Sequence, residues 1–156
     1  MKLVTFQQAE KTKLGIFINN RVYDIHALNP AIADNMRDFL KAGERAMQLA
    51  REIEKRLQAR NNEVGIPIEH VKLLAPVPEP TSCRDGYAFR QHVASARRNR
   101  KVDMIAEFDQ YPIFYFTNHN AIQGPGDITC MPDHFQKLDF ELEAAIVIGK
   151  KGRNIK

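Results

Sequence analysis

The chain has 156 residues, 44% of them apolar and 27% charged, and a formal net charge of +4. These values are typical of a soluble globular protein with one domain, or with one small domain and part of another. The charge is too small to argue for nucleic acid binding, and no apolar run approaches the length of a membrane span. The N-terminus becomes polar too early for a signal peptide, so we expect a cytoplasmic protein without membrane contact.

The first predicted element is a β-hairpin within residues 2–25. Residues 13–18 and 21–25 are rich in β-prone side chains, and Asn19-Asn20 between them is a two-residue turn signal. A helical region follows from Pro30, which Gly43 divides into a short and a longer helix, and Asn61-Asn62 ends the longer one. The apolar positions at helical spacing are Ile32, Met36, Phe39 and Leu40 in the first helix and Met47, Ala50, Ile53 and Leu57 in the second.

A proline-rich stretch marks a junction between two parts of the chain. Ile66-Pro67-Ile68 is predicted to be extended, because the residue before proline avoids the helical conformation. Further along, Pro76, Pro78 and Pro80 stiffen the chain. We therefore expect an α+β fold with a small N-terminal α+β module at 1–70 and a second domain at 71–156.

The segment that follows the prolines holds two candidate functional residues. A helix is predicted from about Asp85 to about Arg100, and His92 lies seven residues, or two turns, after Asp85, so that both would project the same way. Asp85 is a candidate metal ligand, or alternatively the acid of a capping box that begins at Ser82. His92 is a candidate general base, because histidine titrates near neutral pH, or alternatively a half-buried histidine without chemistry.

Other polar residues of this part of the chain have two interpretations each. Tyr87 and Tyr115 could hydrogen-bond a substrate oxygen, or pack with a polar tip at the surface. The basic run at 97–101 could hold a carboxylate or a phosphate, or form a solvated helix end. Residues 111–150 are predicted to be mostly strand, with a turn at 124–127.

Polar and apolar residues alternate without error in Leu138–Glu143. In a strand, this period would place Asp139, Glu141 and Glu143 on one face, with Cα atoms of successive acids roughly 6.5 to 7 Å apart. Stacked carboxylates repel each other, and a hard divalent cation relieves that repulsion. The continuously apolar residues 144–149 predict that the strand runs into a core. The alternative is an edge strand whose acids face outward and discourage aggregation.

Taken together, these segments resemble the fumarylacetoacetate hydrolase family. The resemblance covers most of the chain, from the N-terminal hairpin through Leu73–Pro78, and it is strongest in Arg84–His92 and Leu138–Glu143. An Asp seven residues before a His, followed roughly fifty residues later by Asp-x-Glu-x-Glu, is a specific combination.

The resemblance implies a small α+β module followed by a mainly β roll, usually in a homodimer. It implies hydrolysis of a carbon–carbon bond in a β-diketo acid such as fumarylacetoacetate or an acylpyruvate, as in tyrosine degradation. The implied cofactor is Mg²⁺ or Ca²⁺, with Mn²⁺ as an alternative. The implied site residues are Asp85, Glu141 and Glu143 for the metal, His92 for the activation of water, and Tyr87 and Tyr115 for substrate contact.

Other functions stay open at this point. One is decarboxylation, tautomerisation or hydration of a 2-keto acid on the same scaffold, and another is a non-catalytic module whose basic helix end binds nucleic acid. In the family, the catalytic domain continues beyond the Glu-x-Glu strand with a fourth carboxylate ligand and an acid that orients the histidine. We therefore expect the active protein to be longer than this chain. Alternatively, the chain is a short protein that dimerises, or the product of a degenerate reading frame.

Overall fold

The computed structural model describes residues 1–59 and 64–155. The helix end predicted at Asn61-Asn62 lies outside the described residues. The chain forms two compact units, one from Met1–Pro78 with Gln123–Lys156 and the other from Glu79–Ile122. Helices and antiparallel strands occur together, which confirms the α+β class; the β roll and the division at residue 70 stay predictions. In the part of the chain that is described, no helix is long and apolar enough to cross a membrane.

The described residues of the first unit form five strands and three α-helices. Short three-ten helices at Ile68–His70 and Pro132–Lys137 accompany them. The strands and α-helices are β1 (Leu3–Gln8), β2 (Lys11–Ile18), β3 (Arg21–Asp24), α1 (Ile25–Leu28), α2 (Met36–Lys41), α3 (Gly43–Ala59), β4 (Ile66–Pro67) and β5 (Lys72–Leu73).

The strands of this unit form one antiparallel sheet in the order β4-β3-β2-β1-β5. The predicted hairpin is confirmed, since β2 and β3 pair on either side of Asn19 and Asn20. Both asparagines have positive φ, at 51° and 60°. That conformation gives the turn a twist that matches the right-handed twist of the flanking strands.

The helices follow the predicted division at Gly43, whose φ is +66°. The first of the two begins at Met36 rather than at Pro30, because Asn35 provides the cap: its side-chain oxygen accepts a hydrogen bond of 2.9 Å from the backbone N–H of Asp38. Helix α3 buries residues that recur every three or four positions. Its buried side chains are Ala46, Ala50, Ile53 and Leu57, which join a core with Leu14, Ile16, Ile25, Ile32, Met36 and Phe39.

The prediction that residues 111–150 are mostly strand is wrong. Within the described residues, this stretch contains one strand, β7 (Phe114–Phe116), and the three-ten helix at Pro132–Lys137, and residues 138–149 form no strand. The predicted burial of the apolar run is wrong as well, since Leu142 is 95% exposed and Ile146 is 84% exposed. A strand needs partners for its backbone N–H and C=O groups, and no described strand pairs with 138–149.

The second unit consists of two short strands, one α-helix and a three-ten helix. Strand β6 (Arg84–Gly86) pairs with β7 in antiparallel register, α4 spans Arg90–Asn99, and the three-ten helix spans Ala106–Asp109. The predicted start of the helix near Asp85 is therefore wrong, because backbone pairing with β7 holds Asp85 in a strand. The predicted helix end near Arg100 is confirmed.

Candidate functional site

Asp85 lies in the middle of β6, directly opposite Tyr115 in the register of the two strands. It is half-buried, whereas Tyr115 is 62% exposed. Since Asp85 belongs to a strand, the capping-box interpretation that began at Ser82 is wrong. The residue at the cap position of α4 is Phe89, and it makes no side-chain capping hydrogen bond.

Asp85, Glu141 and Glu143 are the three carboxylates predicted to bind a metal. Asp85 belongs to the unit Glu79–Ile122, whereas Glu141 and Glu143 belong to the other unit. Glu141 and Glu143 are exposed. An all-oxygen, all-carboxylate donor set fits Mg²⁺, Ca²⁺ or Mn²⁺ and is unlike the nitrogen and sulfur donors typical of zinc. The role of these acids as ligands stays a prediction.

His92 is the third residue of α4 and is exposed, which contradicts the interpretation as a half-buried histidine. Its ring meets the ring of Tyr87 edge to face, with centroids 5.8 Å apart at 78°. The expectation that Asp85 and His92 project from one helix face is wrong, because only His92 belongs to the helix. An exposed imidazole is open to a substrate, so the position of His92 is compatible with a general base.

Tyr87 links β6 to the rest of the second unit. Its backbone N–H donates to the carbonyl oxygen of Ile113 at 3.1 Å, which extends the pairing next to β6. Its ring also meets Phe108 of the three-ten helix at right angles, with centroids 6.3 Å apart. Both tyrosines predicted to contact substrate therefore lie on or beside the two paired strands; substrate contact stays a prediction for each.

The basic run at 97–101 makes local contacts at the end of α4. Arg97 donates to the carbonyl oxygen of Asp103, Arg98 donates to Ser95 Oγ at 3.1 Å, and Arg100 donates to the carbonyl oxygen of Ala96 at 3.2 Å. Cations at this end of a helix also interact favourably with its dipole. These contacts agree with the interpretation as a solvated helix end.

One contact near His92 gave no signal in the sequence. Arg90, the first residue of α4, donates from Nε and Nη2 to the two carboxylate oxygens of Asp109 at 2.9 and 3.2 Å. The hydrogen bonds from Arg90 hold the pKa of the Asp109 carboxyl below its usual value. The two residues are far apart in sequence and on different elements, so no local spacing could have paired them.

The second half of the chain matches a known protein family. Residues 81–156 match the model described as fumarylacetoacetate (FAA) hydrolase C-terminal, the segment that contains β6, His92 and the three acids. Residues 81–156 belong to the fumarylacetoacetate hydrolase family.

Curated relatives match along the length of the chain. This chain is 30% identical to oxaloacetate tautomerase fahd2, mitochondrial, from Xenopus laevis, and 33% identical to oxaloacetate tautomerase Fahd2a, mitochondrial, from Rattus norvegicus. Both matches cover 100% of this chain; they cover 46% of the Xenopus laevis protein and 47% of the Rattus norvegicus protein. A fumarylacetoacetate hydrolase domain-containing protein 2 homolog from Dictyostelium discoideum is 28% identical over 99% of this chain and 48% of its own length. The chain thus spans about half the length of these relatives.

The names of these relatives correct one expectation. A cytoplasmic location was expected from the N-terminal residues, and it is wrong, because the relatives from Xenopus laevis and Rattus norvegicus are named as mitochondrial proteins.

Proposed function

We propose that this chain provides the metal-binding and general-base part of an enzyme that interconverts the keto and enol forms of a small 2-keto dicarboxylic acid of the oxaloacetate class. The observation that carries the proposal is the match to oxaloacetate tautomerases at 30% and 33% identity along the whole chain. The family match over residues 81–156 supports a divalent-metal enzyme of the hydrolase and tautomerase type. As the chain covers about half of these relatives, the activity is proposed for the whole protein.

Asp85, Glu141 and Glu143 would hold the metal. The family resemblance supports this assignment, and all three acids lie in the segment 81–156 that matches the family model. A bound Mg²⁺, Ca²⁺ or Mn²⁺ would supply Lewis-acid chemistry, which polarises the oxygens of a keto acid. The exposed positions of Glu141 and Glu143 leave room for substrate and water oxygens beside the protein ligands.

His92 would move the proton. In tautomerisation it takes a proton from the carbon next to the keto group, and a proton is returned to the oxygen, so the substrate gains and loses no atoms. The exposed ring of His92 can reach a substrate in solution. The phenol groups of Tyr87 and Tyr115 would donate hydrogen bonds to substrate oxygens as negative charge develops there.

A second candidate function is hydrolysis of a carbon–carbon bond in a β-diketo acid, and His92 favours it. By resemblance, family members that decarboxylate or hydrate tend to lack a histidine at this position. Here His92 takes a proton from water, the hydroxyl group adds to the carbonyl carbon, and the carbon–carbon bond breaks. The electron pair of the broken carbon–carbon bond passes to the leaving carbon, which is then protonated. The link to tyrosine degradation and the homodimer stay predictions.

Product analysis distinguishes the two functions. Oxaloacetate and an acylpyruvate are each incubated with the protein and Mg²⁺; tautomerisation only speeds the approach of the keto and enol forms to equilibrium, whereas hydrolysis of the acylpyruvate releases two acids. We expect His92→Ala to lower either rate by about a hundredfold or more, because a general base is lost. His134→Ala is the matched control, since His134 is also exposed and has no assigned role. A His92→Ala rate within about twofold of wild type would disprove the base assignment.

Calorimetric titration with Mg²⁺, with and without oxalate as a keto-acid mimic, tests the ligands separately. We expect Glu141→Ala/Glu143→Ala to abolish the binding heat, because two of three carboxylate donors are removed. Glu44→Ala/Glu52→Ala removes the same charge from two exposed acids of α3 and should leave binding unchanged. Equal loss in both double variants would show a general charge effect and reject the ligand assignment.

A further inference from the structure

The first turn of α4, which carries His92, lacks the usual cap. Phe89 occupies the cap position and provides no side-chain acceptor, so backbone N–H groups of the first turn have no side-chain partner there. The regular helix bonding begins with Val93, whose N–H donates to the carbonyl oxygen of Phe89 at 3.1 Å. An uncapped first turn frays readily, so the position of His92 depends on other contacts.

One such contact is the ion pair between Arg90 and Asp109. Two nearly parallel hydrogen bonds, of 2.9 and 3.2 Å, join the guanidinium group to both carboxylate oxygens. A two-point contact between planar groups fixes orientation as well as distance. Both side chains are more than half exposed, at 60% and 57%, so the pair adds little to global stability, and its main effect is local order.

The second contact reaches His92 through aromatic rings. The ring of Tyr87 meets the ring of His92 and also the ring of Phe108, edge to face in both cases. Such arrangements are the favourable ones for aromatic rings. Phe108 and Asp109 are successive residues of the three-ten helix at Ala106–Asp109. That short helix therefore supports the first turn of α4 twice, directly through Arg90 and indirectly through Tyr87.

We propose that Arg90 and Asp109 are positioning residues, which hold the first turn of α4 so that Tyr87 and Phe108 fix the ring of His92. The catalytic consequence rests on the proposed function; the structural consequence does not. Loss of the pair leaves the chemistry of His92 intact but lets its ring leave the orientation in which it meets the proton. Such a loss lowers kcat more than it raises KM, because substrate binding does not require the pair.

The test compares Asp109→Asn with Glu44→Gln in the full chain. The control breaks the exposed pair between Arg51 and Glu44 on α3, with the same change of charge. For Asp109→Asn we expect amide hydrogen exchange of Val93 to accelerate about threefold and the His92 ring resonances to shift, with kcat falling roughly three- to tenfold at little changed KM. Glu44→Gln should change none of these.

Two further variants separate geometry from charge. Arg90→Lys keeps the charge but removes the two-point contact, so it should behave like Asp109→Asn. The reversed pair Arg90→Asp/Asp109→Arg should restore at least half of the lost protection. Unchanged exchange and ring resonances in Asp109→Asn, or equal changes in the control, would overturn the positioning role. Absence of turnover in the whole wild-type protein would instead reject the proposed function, while exchange and ring resonances still decide the positioning role.

Discussion

Two apolar runs of similar length have opposite environments in this chain. In β2, Leu14 and Ile16 are fully buried, whereas Ile146 and Ile148 in the run at 144–149 are 84% and 78% exposed. Residues 14–18 of β2 and residues 144–149 both consist only of apolar residues and glycine. They differ in their neighbours, because β2 lies between β1 and β3, whereas the run at 144–149 pairs with no described strand.

The comparison shows that backbone pairing, rather than apolar composition, determines which run is buried. Strand pairing fixes the side of the sheet on which each side chain lies, and helix α3 then covers one side. Leu14 and Ile16 lie on the covered side and join the core with the buried residues of α3. Without pairing, residues 138–149 contribute apolar surface but no core contacts.

The largest expected effect tests that difference directly. Phe39 is fully buried in the core that β2 and α3 share, so we expect Phe39→Ala to lower the free energy of unfolding by about 3 to 5 kcal/mol. Leu142 is 95% exposed, so Leu142→Ala should change the free energy of unfolding by less than about 0.5 kcal/mol. Urea unfolding measures both. A loss above roughly 1 kcal/mol for Leu142→Ala would show that 138–149 packs in solution and would remove the contrast.

Elements with local signals were predicted well from the sequence. Asn19-Asn20 gave the hairpin, because few residues other than glycine and asparagine tolerate positive φ. Gly43 gave the break between α2 and α3 for the same reason. The helical spacing of Ala50, Ile53 and Leu57 gave the buried face of α3. In each case the decisive residues lie within one or two turns of each other.

Features that depend on distant partners were predicted poorly. Asp85 was expected at the entrance of a helix, but its pairing with Tyr115 holds it in a strand. Residues 138–149 have strand periodicity, yet periodicity cannot supply a neighbouring strand. The contact between Arg90 and Asp109 had no local signal at all. The assignment of Asp85, Glu141 and Glu143 to one metal stays a prediction, since no local spacing joins residues so far apart in sequence.

An effect of intermediate size is expected from the charge of Asp24, which lies in the strand paired with β2. Asp24 lies opposite Gly15 of β2; its carboxylate contacts Lys13 Nζ at 2.9 Å and accepts a hydrogen bond of 3.0 Å from the N–H of Ala27. Burial acts to raise the pKa of Asp24, but the hydrogen bonds from Lys13 and Ala27 outweigh it, so the pKa is lowered on folding. The ionised form is therefore stabilised by the fold.

The sign of the pH dependence follows from this lowering. The contribution of Asp24 is fully present above the unfolded value of about 3.9 and is lost as the pH falls through the folded value. At pH 7, Asp24→Asn should cost about 1 to 2 kcal/mol, because asparagine keeps the cap but not the charge-assisted hydrogen bond. Urea midpoints should converge with wild type as the pH falls through the folded pKa of Asp24. The control is Asp127→Asn, which changes an exposed acid outside the paired strands. A difference in urea midpoint between Asp24→Asn and wild type that stays constant at all pH values would contradict the stabilising role of the ionised Asp24.

The smallest expected effect compares the same backbone conformation in the two regions. Asn20, in the turn between β2 and β3, has a φ of 60°, and Asn154, beyond the unpaired run, has a φ of 52°. Alanine disfavours this conformation by about 1 kcal/mol relative to residues that adopt it readily. In the hairpin, strand pairing on both sides enforces the positive φ, so Asn20→Ala should lower the free energy of unfolding by about 0.5 to 1 kcal/mol.

At residue 154 no described strand enforces the conformation. The backbone of Asn154→Ala can therefore relax, and its unfolding should match wild type within about 0.3 kcal/mol. Equal losses in the two variants would mean that the segment near residue 154 is held as firmly as the hairpin, and strand pairing would no longer explain the difference between the two apolar runs.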